Sequence, residues 1–236
     1  MPNSIVEKWF GLAKESTVAS MGVAVTPPTK FIAVGADSDF DNKLNLIEDE
    51  NVRGLMERFA SQAGKLDGTG KISSLDVMAD NIGELLFSVL GTDDAAEAPA
   101  GVITHVLEHG TDEQLPSYTV CVNRGLNAKS YALACVKSIA FSGAVDGKVK
   151  ADVDFIFATE AEYVSADVIV WPDPPPFMFY QTDFKIAGSS NTNVKDWKIT
   201  FDNTGIGLRT LNGTQKITDV LSPGKFVVSG SFNIFF

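Results

Sequence analysis

The spacing of apolar residues along most of the chain is that of β-strands. The clearest case runs from Lys148 to Phe157, where apolar side chains at odd positions alternate with charged side chains at most even positions. Successive strand residues point to opposite faces, so this alternation predicts a strand with one buried and one wet face. An Asp146-Gly147 corner before it predicts a hairpin with the apolar segment 131–141. The same patterns predict strands at Phe31–Val34, Tyr118–Val122, Trp197–Phe201 and Phe226–Phe236.

One segment has the spacing of a helix instead. Ser74 or Asp76 is suited to cap its start, and Gly91 is suited to the left-handed position after its end. Between them a single apolar stripe repeats at i, i+4, i+7, i+8 and i+11. The stripe consists of Met78, Ile82, Leu85, Leu86 and Val89. The sequence therefore predicts a mainly β fold with one flanking α-helix near residues 76–90.

Two stretches share a layout at a constant offset of 154 residues. Residues 47–52 align with residues 201–206, and residues 70–74 align with residues 224–228. Both copies run from an apolar-acidic strand, through a polar stretch, to Gly-Lys and an apolar residue. The equal spacing suggests a duplicated β-unit, which is more typical of assemblies than of catalysis. The second copy stops at Phe236, before a counterpart of the helix, so the predicted duplication is incomplete.

Length and composition indicate a folded, soluble protein. The chain has 236 residues, 44% of them hydrophobic, and a mean hydropathy of +0.08, which suffices for a core in one large or two small β-domains. No apolar run approaches the roughly 18 residues of a membrane span. Charged residues interrupt every apolar stretch among the first thirty residues, so we expect no signal peptide. Folding in a reducing cytoplasm then predicts that Cys121 and Cys135 are thiols rather than a disulfide.

The charge balance is acidic. The formal net charge is −11, from 19 basic and 30 acidic residues, and lysines and arginines do not cluster. Direct binding of nucleic acid through phosphate neutralisation is therefore not expected. The acidity either serves solubility or marks a surface that must not hold DNA.

Two apparent metal motifs lack the context that metal binding requires. The acidic run that begins at Asp37 and ends at Glu48 has the spacing of a calcium loop, but Pro27-Pro28 and a predicted strand replace the entering helix. We interpret it as a solvated acidic loop. The segment His105-x-x-Glu108-His109 matches an inverted zinc-protease pattern, which requires a helix to bring both imidazoles to one face. We interpret these as two loop histidines, so no metal site is expected.

Signals of nucleophilic or cofactor-dependent catalysis are weak as well. The chain has no Gly-x-Ser-x-Gly elbow and no phosphate-binding glycine loop before the predicted helix. Residues 66–70 are glycine-rich and are predicted to form a turn. We therefore expect no catalytic residues, no cofactor and no enzymatic activity.

The chain contains a series of short motifs, and the order in which they occur is more informative than any one of them. They are Gly11-x-x-x-Glu15-Ser16, Gly22, Phe31–Val34, Leu46–Glu50, Arg53-Gly54, Asp67–Gly70, Ile82-Gly83-x-Leu85-Leu86, Leu90-Gly91 and Leu115–Thr119. This succession resembles the tail tube proteins of long-tailed (siphovirus-like) bacteriophages and related tail-like particles. The resemblance covers most of residues 9–160 and extends more weakly over residues 177–236.

The resemblance implies a β-sandwich or barrel-like tail tube fold with one flanking helix. Subunits of that family are arranged in rings whose inner strands form a continuous β-barrel, and the rings stack into the conduit for DNA ejection. The implied partners are further copies of the chain and other tail proteins, while genomic DNA passes without specific binding and no membrane is involved. The implied location is the virion tail, after assembly in the cytoplasm of a host bacterium.

This interpretation divides the chain into four segments. Residues 1–30 are expected to form an N-terminal arm, residues 31–165 a β-rich tube domain, residues 166–176 a proline-rich linker, and residues 177–236 a second β-unit that is a partial repeat. In the arm, Trp9, Phe10 and Leu12 are candidates for contact between rings. The predicted loops at 37–43 and 95–101 are further candidates.

Charge suggests which residues face the DNA. A wall of lysine or arginine would bind phosphates and stall the DNA, whereas an acidic wall repels it. An ordinary solvated outer face is the alternative for the same residues. The candidates for an acidic wall or rim are Glu48, Asp49, Glu50, Asp152 and Asp154.

Other functions and assemblies stay open at this point. The main alternative is a β-sandwich binding or decoration module for carbohydrate or a virion surface, for which Trp171–Tyr180 is the candidate aromatic cluster. A metal-dependent enzyme is a third hypothesis. A single tube domain implies six subunits in a ring, whereas a true duplication allows three subunits with pseudo-sixfold symmetry.

Overall fold

The computed structural model describes residues 9–15, 27–35, 37–48, 61–98, 102–110, 115–125, 127–164, 169–171, 173–211, 213–221 and 225–235. These residues are mainly β-strand with one α-helix, which confirms the predicted fold class. The strands of the N-terminal half are β1 (Trp9–Lys14), β2 (Lys30–Ile32), β3 (Asp39–Ile47), β4 (Gln62–Asp76), β5 (Gly91–Ala98) and β6 (Val102–His109), with helix α1 (Ala79–Leu90) between β4 and β5. The later strands are β7 (Tyr118–Asn123), β8 (Ala128–Ala144), β9 (Lys150–Phe157), β10 (Thr159–Tyr163), β11 (Lys185–Ile186), β12 (Ser189–Ser190), β13 (Val194–Asp202), β14 (Ile206–Leu208), β15 (Asp219–Leu221) and β16 (Val227–Ile234).

A long hairpin forms the spine of the fold. One edge of β8 pairs with β9 and then with β10, and all of this pairing is antiparallel. The corner lies at 145–147, where Asp146 has a φ of 62°, a left-handed value that Asp tolerates better than most residues. The predicted hairpin between the segment 131–141 and the alternating strand is therefore confirmed.

The other edge of β8 divides the strands into two sheets that share it. Its first half pairs with β7 and its second half with β13. The small sheet has the order β2-β1-β7-β8-β10, and the large sheet has the order β3-β4-β9-β8-β13-β16. Every neighbouring pair in the large sheet is antiparallel.

An aromatic cluster between the two sheets forms the centre of the core. Phe10 of the small sheet and Phe40 of the large sheet have ring centroids 5.2 Å apart. The Phe40 ring also lies 5.0 Å from Tyr131 and 5.6 Å from Phe155. Aromatic side chains bury large apolar areas, so this cluster stabilises the packing of one sheet on the other in a sandwich-like arrangement.

A buried carboxylate marks the point where β8 passes from one sheet to the other. Leu133 has a φ of 54°, which is strained for a residue with a large side chain. Its N–H donates to Glu15 Oε1 at 2.9 Å, and Glu15 is 5% exposed. The same carboxylate accepts hydrogen bonds from Ser117 Oγ at 2.6 Å and Thr119 Oγ1 at 3.0 Å. Glu15 thus joins β7 and β8 at the bend.

The glycine-rich segment 66–70 is a strand, not the predicted turn. Gly68 and Gly70 lie inside β4 and face the core. A Cβ on Gly70 would lie 2.3 Å from Phe40 Cε1, and a Cβ on Gly68 would lie 2.4 Å from the carbonyl oxygen of Phe157. The two glycines therefore provide the space in which the aromatic cluster packs against the backbone of β4.

Helix α1 lies where the sequence predicts it, with a different N-cap. The N-cap is Met78, whose N–H donates to Asn81 Oδ1 at 2.9 Å, so neither Ser74 nor Asp76 caps the helix. Asn81 closes the first turn because its short polar side chain reaches back to the backbone. At the other end Gly91 has the predicted positive φ, at 96°.

Part of the predicted N-terminal arm is an interior strand. Trp9, Phe10 and Leu12 lie in β1, which pairs with β2 on one edge and β7 on the other. Their side chains are at most 7% exposed, and the arm interpretation is wrong for these three residues because they complete the small sheet and its core. Residues 1–8 and 16–26 of the predicted arm lie outside the described residues.

The C-terminal segment 177–236 adds strands to the large sheet. Its β13 pairs with β8 and its β16 pairs with β13. The two segments aligned by the 154-residue offset both belong to antiparallel strand pairs of this sheet, β3–β4 and β13–β16, at its opposite ends. Their positions are not equivalent, since β3 is an outer strand whereas β13 is an inner one.

Candidate functional site

The large sheet has a polar face turned away from the core. Because residues on a strand alternate between faces, the residues between the buried ones share this side. On β9, Asp152 and Asp154 alternate with Ala151, Val153 and Phe155, which are at most 3% exposed. The polar face comprises Asp39, Asp41, Lys43, Asp67, Thr69, Lys71, Ser138, Ala140, Ser142, Lys150, Asp152, Asp154, Asp196, Lys198, Thr200, Asp202, Ser229, Ser231 and Asn233. Ile156 of β9 lies on the same side at one end, where it packs against a buried cluster that includes Ile217 and Val220.

The two β9 aspartates, both predicted wall residues, lie near the middle of the polar face. Asp152 Oδ1 accepts a hydrogen bond from the N–H of Ser74 at 2.9 Å, and Asp154 Oδ2 accepts one from Ser138 Oγ at 2.9 Å. Among the described residues, neither aspartate forms an ion pair with a lysine or arginine. Neutral donors, rather than cations, thus hold both carboxylates in place.

The other predicted acidic residues follow the end of β3. Glu48 is exposed immediately after the strand. Asp49 and Glu50 lie outside the described residues. The structure therefore places Glu48 at the border of the large sheet, apart from the β9 aspartates at its centre.

Aspartates outnumber lysines on the polar face, although some of them are paired. Asp39 forms an ion pair with Arg124 at 2.7 Å, and Lys43 lies 3.8 Å from Asp41. Lys65, whose ammonium is 2.8 Å from Asp67, together with Arg209, holds the pKa of the Asp67 carboxyl below its usual value.

Several acidic residues of this face, those on β3 and β13, are not among the predicted wall residues. The signal is present in both strands, because Asp39-Phe40-Asp41 and the run from Asp196 to Asp202 alternate polar and apolar residues. The acidity of the first run favours a solvated loop, but the structure shows that it is part of β3. The alternation of polar and apolar residues is a better signal than acidity, since a strand with a solvent-exposed face places every second residue in solvent.

The large sheet ends on both sides in strands with an open edge. Within the described part of the chain, β3 pairs only with β4, and β16 pairs only with β13. Arg124 donates to the carbonyl oxygen of Phe40 at 2.7 Å, so its side chain occupies the start of the β3 edge. An open edge presents unpaired N–H and C=O groups and can pair with another chain.

An apolar groove lies on the core-facing side of the large sheet, beyond the cover of the small sheet. It has a volume of about 320 Å³. Helix α1 forms one wall, and β8 and β13 form the other. Its lining includes Ile82, Leu86, Phe141, Trp197, Ile199 and Phe201. The core-facing residues Val228 and Phe232 of the neighbouring β16 are 55% and 46% exposed.

The histidines lie on a strand rather than in a loop. β6, which contains both, pairs with β5 in a hairpin that follows α1, and residues 95–98 lie towards its far end. His105 Nδ1 is 2.9 Å from Asp93 Oδ2, and the His109 ring lies 4.6 Å from that of Phe226. In the part of the chain that the structure describes, no three His, Cys, Asp or Glu residues group as metal ligands.

The segment 171–180, the candidate aromatic cluster, is attached to the body at its end. The N–H of Phe177 donates to the carbonyl of Val77, and the N–H of Val149 donates to the carbonyl of Phe177, both at 2.8 Å. Trp171 and Tyr180 are 44% and 78% exposed.

Cys121 and Cys135 are buried thiols, and burial raises the pKa of the Cys135 thiol.

Over the described ranges, no helix is both long and apolar enough to cross a bilayer.

Comparison with known proteins gives one match that spans nearly the whole chain. A family model described as "Phage tail tube protein" matches residues 10–236. No curated protein matches the chain.

Proposed function

Since the chain belongs to the phage tail tube protein family, we propose that it forms rings that stack into the tube through which a phage ejects its DNA. Membership makes the chain a structural component of the virion tail, which assembles with itself and with other tail proteins. Beyond family membership, we propose that the rings stack, that they enclose a conduit for DNA, and that they assemble in the cytoplasm of the host bacterium.

The large sheet is the observation that carries this proposal. It has one polar face, one apolar face and, as far as the structure describes the chain, two open edges, β3 and β16. A sheet with open edges becomes complete when copies join side to side around a ring, because closure removes every edge. The apolar face then remains inside the subunits, and the polar face lines the bore.

The charge of the polar face suits a passage for DNA. Asp152 and Asp154 lie near its centre and carry no ion pair among the described residues. Fixed negative charge repels phosphate over a distance of about 8 Å at physiological salt. Lysine-rich walls would instead bind the backbone as counterions are released. We therefore propose that DNA passes the Asp152 and Asp154 side chains without binding.

The arrangement of the two sheets favours six subunits in a ring. A ring of three with pseudo-sixfold symmetry requires each chain to contribute two equivalent units. Here a single large sheet is organised around β8 and β9, and the segments aligned by the 154-residue offset occupy an outer and an inner strand. One tube domain per chain supports the sixfold ring.

Negative-stain electron microscopy of the purified protein at physiological salt tests the proposal. We expect rings or hollow cylinders with a stain-filled bore, and size-exclusion chromatography with light scattering should give multiples of the 25.3 kDa chain. Dispersed monomers over the whole concentration range would contradict the proposal and favour the binding module.

A further inference from the structure

We propose that neighbouring subunits join by antiparallel pairing of β16 of one copy with β3 of the next, so that the large sheet continues across each subunit border. This inference rests on the proposed function and specifies which strands form the ring.

The composition of β16 indicates that it is not a solvent-facing edge in the assembled protein. Val227–Ile234 contains no charged residue and no proline, although all but its last residue are exposed. Exposed edge strands in stable monomers usually carry lysine, proline or a bulge that prevents pairing. A long uncharged edge strand aggregates unless a specific partner covers it. Over about 25 Å of strand, β16 therefore requires a partner.

β3 is the complementary edge. It is nine residues long, close to the eight of β16. Arg124 occupies only its start, and the edge from Asp41 to Ile47 has no pairing strand among the described residues. On the core-facing side, Leu44 and Leu46 are 45% and 61% exposed. Like β16, β3 thus presents unburied apolar side chains beside an open backbone.

The order of the large sheet fixes the direction of the contact. Between β3 and β16 lie four strands, and each of the five neighbouring pairs is antiparallel. β3 and β16 therefore run in opposite directions within one subunit. Successive subunits of a ring have the same orientation, so β16 meets β3 of the next copy in antiparallel sense, and the pattern of the sheet continues unbroken.

The two faces match across this contact as well. On the core-facing side, Val228 and Phe232 of one copy come beside Leu44 and Leu46 of the next, where cross-strand apolar pairs stabilise a sheet. On the other side, the serines of β16 come beside Asp41 and Lys43, and the polar face continues. The apolar side chains next to the groove are covered at the same time.

Pairing of β16 with β16 of another copy is the competing arrangement. It is also antiparallel, but it produces a closed twofold dimer and leaves both β3 edges open. A contact between two different edges generates a ring, because each copy keeps one edge for each neighbour. The ring uses both edges of the sheet, and the dimer uses one.

Disulfide cross-linking distinguishes these arrangements. The variant Ser231→Cys on β16 is combined in turn with Asp41→Cys, Lys43→Cys or Asn45→Cys on β3. Assembled protein is oxidised and run on a non-reducing gel. We expect a ladder of cross-linked multimers for one of the three pairs, since a disulfide requires Cα atoms about 4.4–6.8 Å apart. The buried native thiols Cys121 and Cys135 contribute little background.

The matched control combines Ser231→Cys with Thr69→Cys, which lies on the polar face of β4, one strand further from the edge. The expected separation of about 10 Å excludes a disulfide, so this pair should give no ladder. Rings in the microscope without a ladder from any β3 pair would overturn the strand assignment and leave the proposed function intact. A dimer from Ser231→Cys alone would establish the β16–β16 contact instead, and protein that forms no rings would count against both proposals.

A second variant tests the apolar contact without cysteines. Val228→Lys/Phe232→Lys places two charges on the β16 edge, and we expect at least a tenfold loss of assembled protein in sedimentation, with an unchanged far-UV circular dichroism spectrum. The control Val164→Lys changes an exposed apolar residue that follows β10 of the small sheet, and it should assemble normally. Normal assembly of the double variant would show that β16 is not at the border between subunits.

Discussion

Glu15 illustrates how one buried side chain sets the path of a strand. Its carboxylate accepts hydrogen bonds from the hydroxyl groups of Ser117, just before β7, and Thr119 of β7, and from the N–H of Leu133 at the bend where β8 changes sheets. A buried charge is costly unless hydrogen bonds satisfy it, so these donors and the carboxylate depend on one another. Glu15 therefore stabilises the left-handed conformation of Leu133, which the leucine side chain alone would disfavour.

We expect Glu15→Ala to lower the free energy of unfolding by about 3 kcal/mol or more, because it leaves buried donors without their acceptor. Glu15→Gln keeps one carbonyl oxygen and should cost less, about 1–3 kcal/mol. Urea denaturation followed by circular dichroism measures both. Glu162→Ala, at an exposed position of β10, is the control and should change stability by less than about 0.5 kcal/mol. Equal stability of Glu15→Ala and the control would disprove this role.

Such a residue is not predictable from the sequence. The hydrogen-bond partners of Glu15 are 102, 104 and 118 residues away along the chain, and nothing near Glu15 in the sequence indicates them. Asp152 and Asp154 are the opposite case. Their exposure follows from the alternation of their own strand, and the structure places both on the polar face.

Strands and helices were predictable where apolar residues repeat at one regular spacing. Alternation predicts β9, and the apolar stripe predicts α1. In β1 the residues from Trp9 to Ala13 are buried on both faces, so the strand has no alternation and resembles a detached apolar segment. In β4 the glycines indicated a turn, since nothing in the sequence shows that Phe40 packs against them.

The role of the β4 glycines can be tested by a matched pair of substitutions. Gly70→Ala should lower the unfolding free energy by about 2 kcal/mol or more, because the new Cβ would overlap Phe40 and force the aromatic cluster apart. In contrast, a Cβ on Gly83 of α1 has no neighbour within 4 Å. Gly83→Ala should stabilise the protein by about 0.5–1 kcal/mol through helix propensity. Thermal unfolding measures both, and a stabilising Gly70→Ala would contradict the packing described here.

The arrangement of the whole molecule required the structure. The sequence predicts a mainly β fold and an acidic surface, but the pairing of β13 with β8 joins residues about sixty positions apart. Neither the open edges nor the extent of the polar face can be derived without that pairing. The assignment of the polar face to the bore stays a prediction at this scale.

That prediction concerns the charge of the assembled tube. Asp152→Lys/Asp154→Lys changes the polar face by four charge units, and tubes of this variant should retain short double-stranded DNA at low salt and release it as salt rises. DNA held in the bore should resist nuclease. The control Glu162→Lys/Asp183→Lys makes the same change in charge off the polar face, so any DNA that it binds should be digested. Equal retention and digestion for both variants would place the aspartates outside the bore.

The strand shared by both sheets also has a mechanical consequence. With 17 residues, β8 spans about 55 Å along its path, and it is hydrogen-bonded on both edges for most of that length. Tension applied to either sheet is carried into the other by covalent bonds rather than by side-chain packing alone. The hydrogen bonds on both edges of β8 would then have to break together before the two sheets could separate. We therefore expect the subunit to unfold under tension as a single mechanical unit.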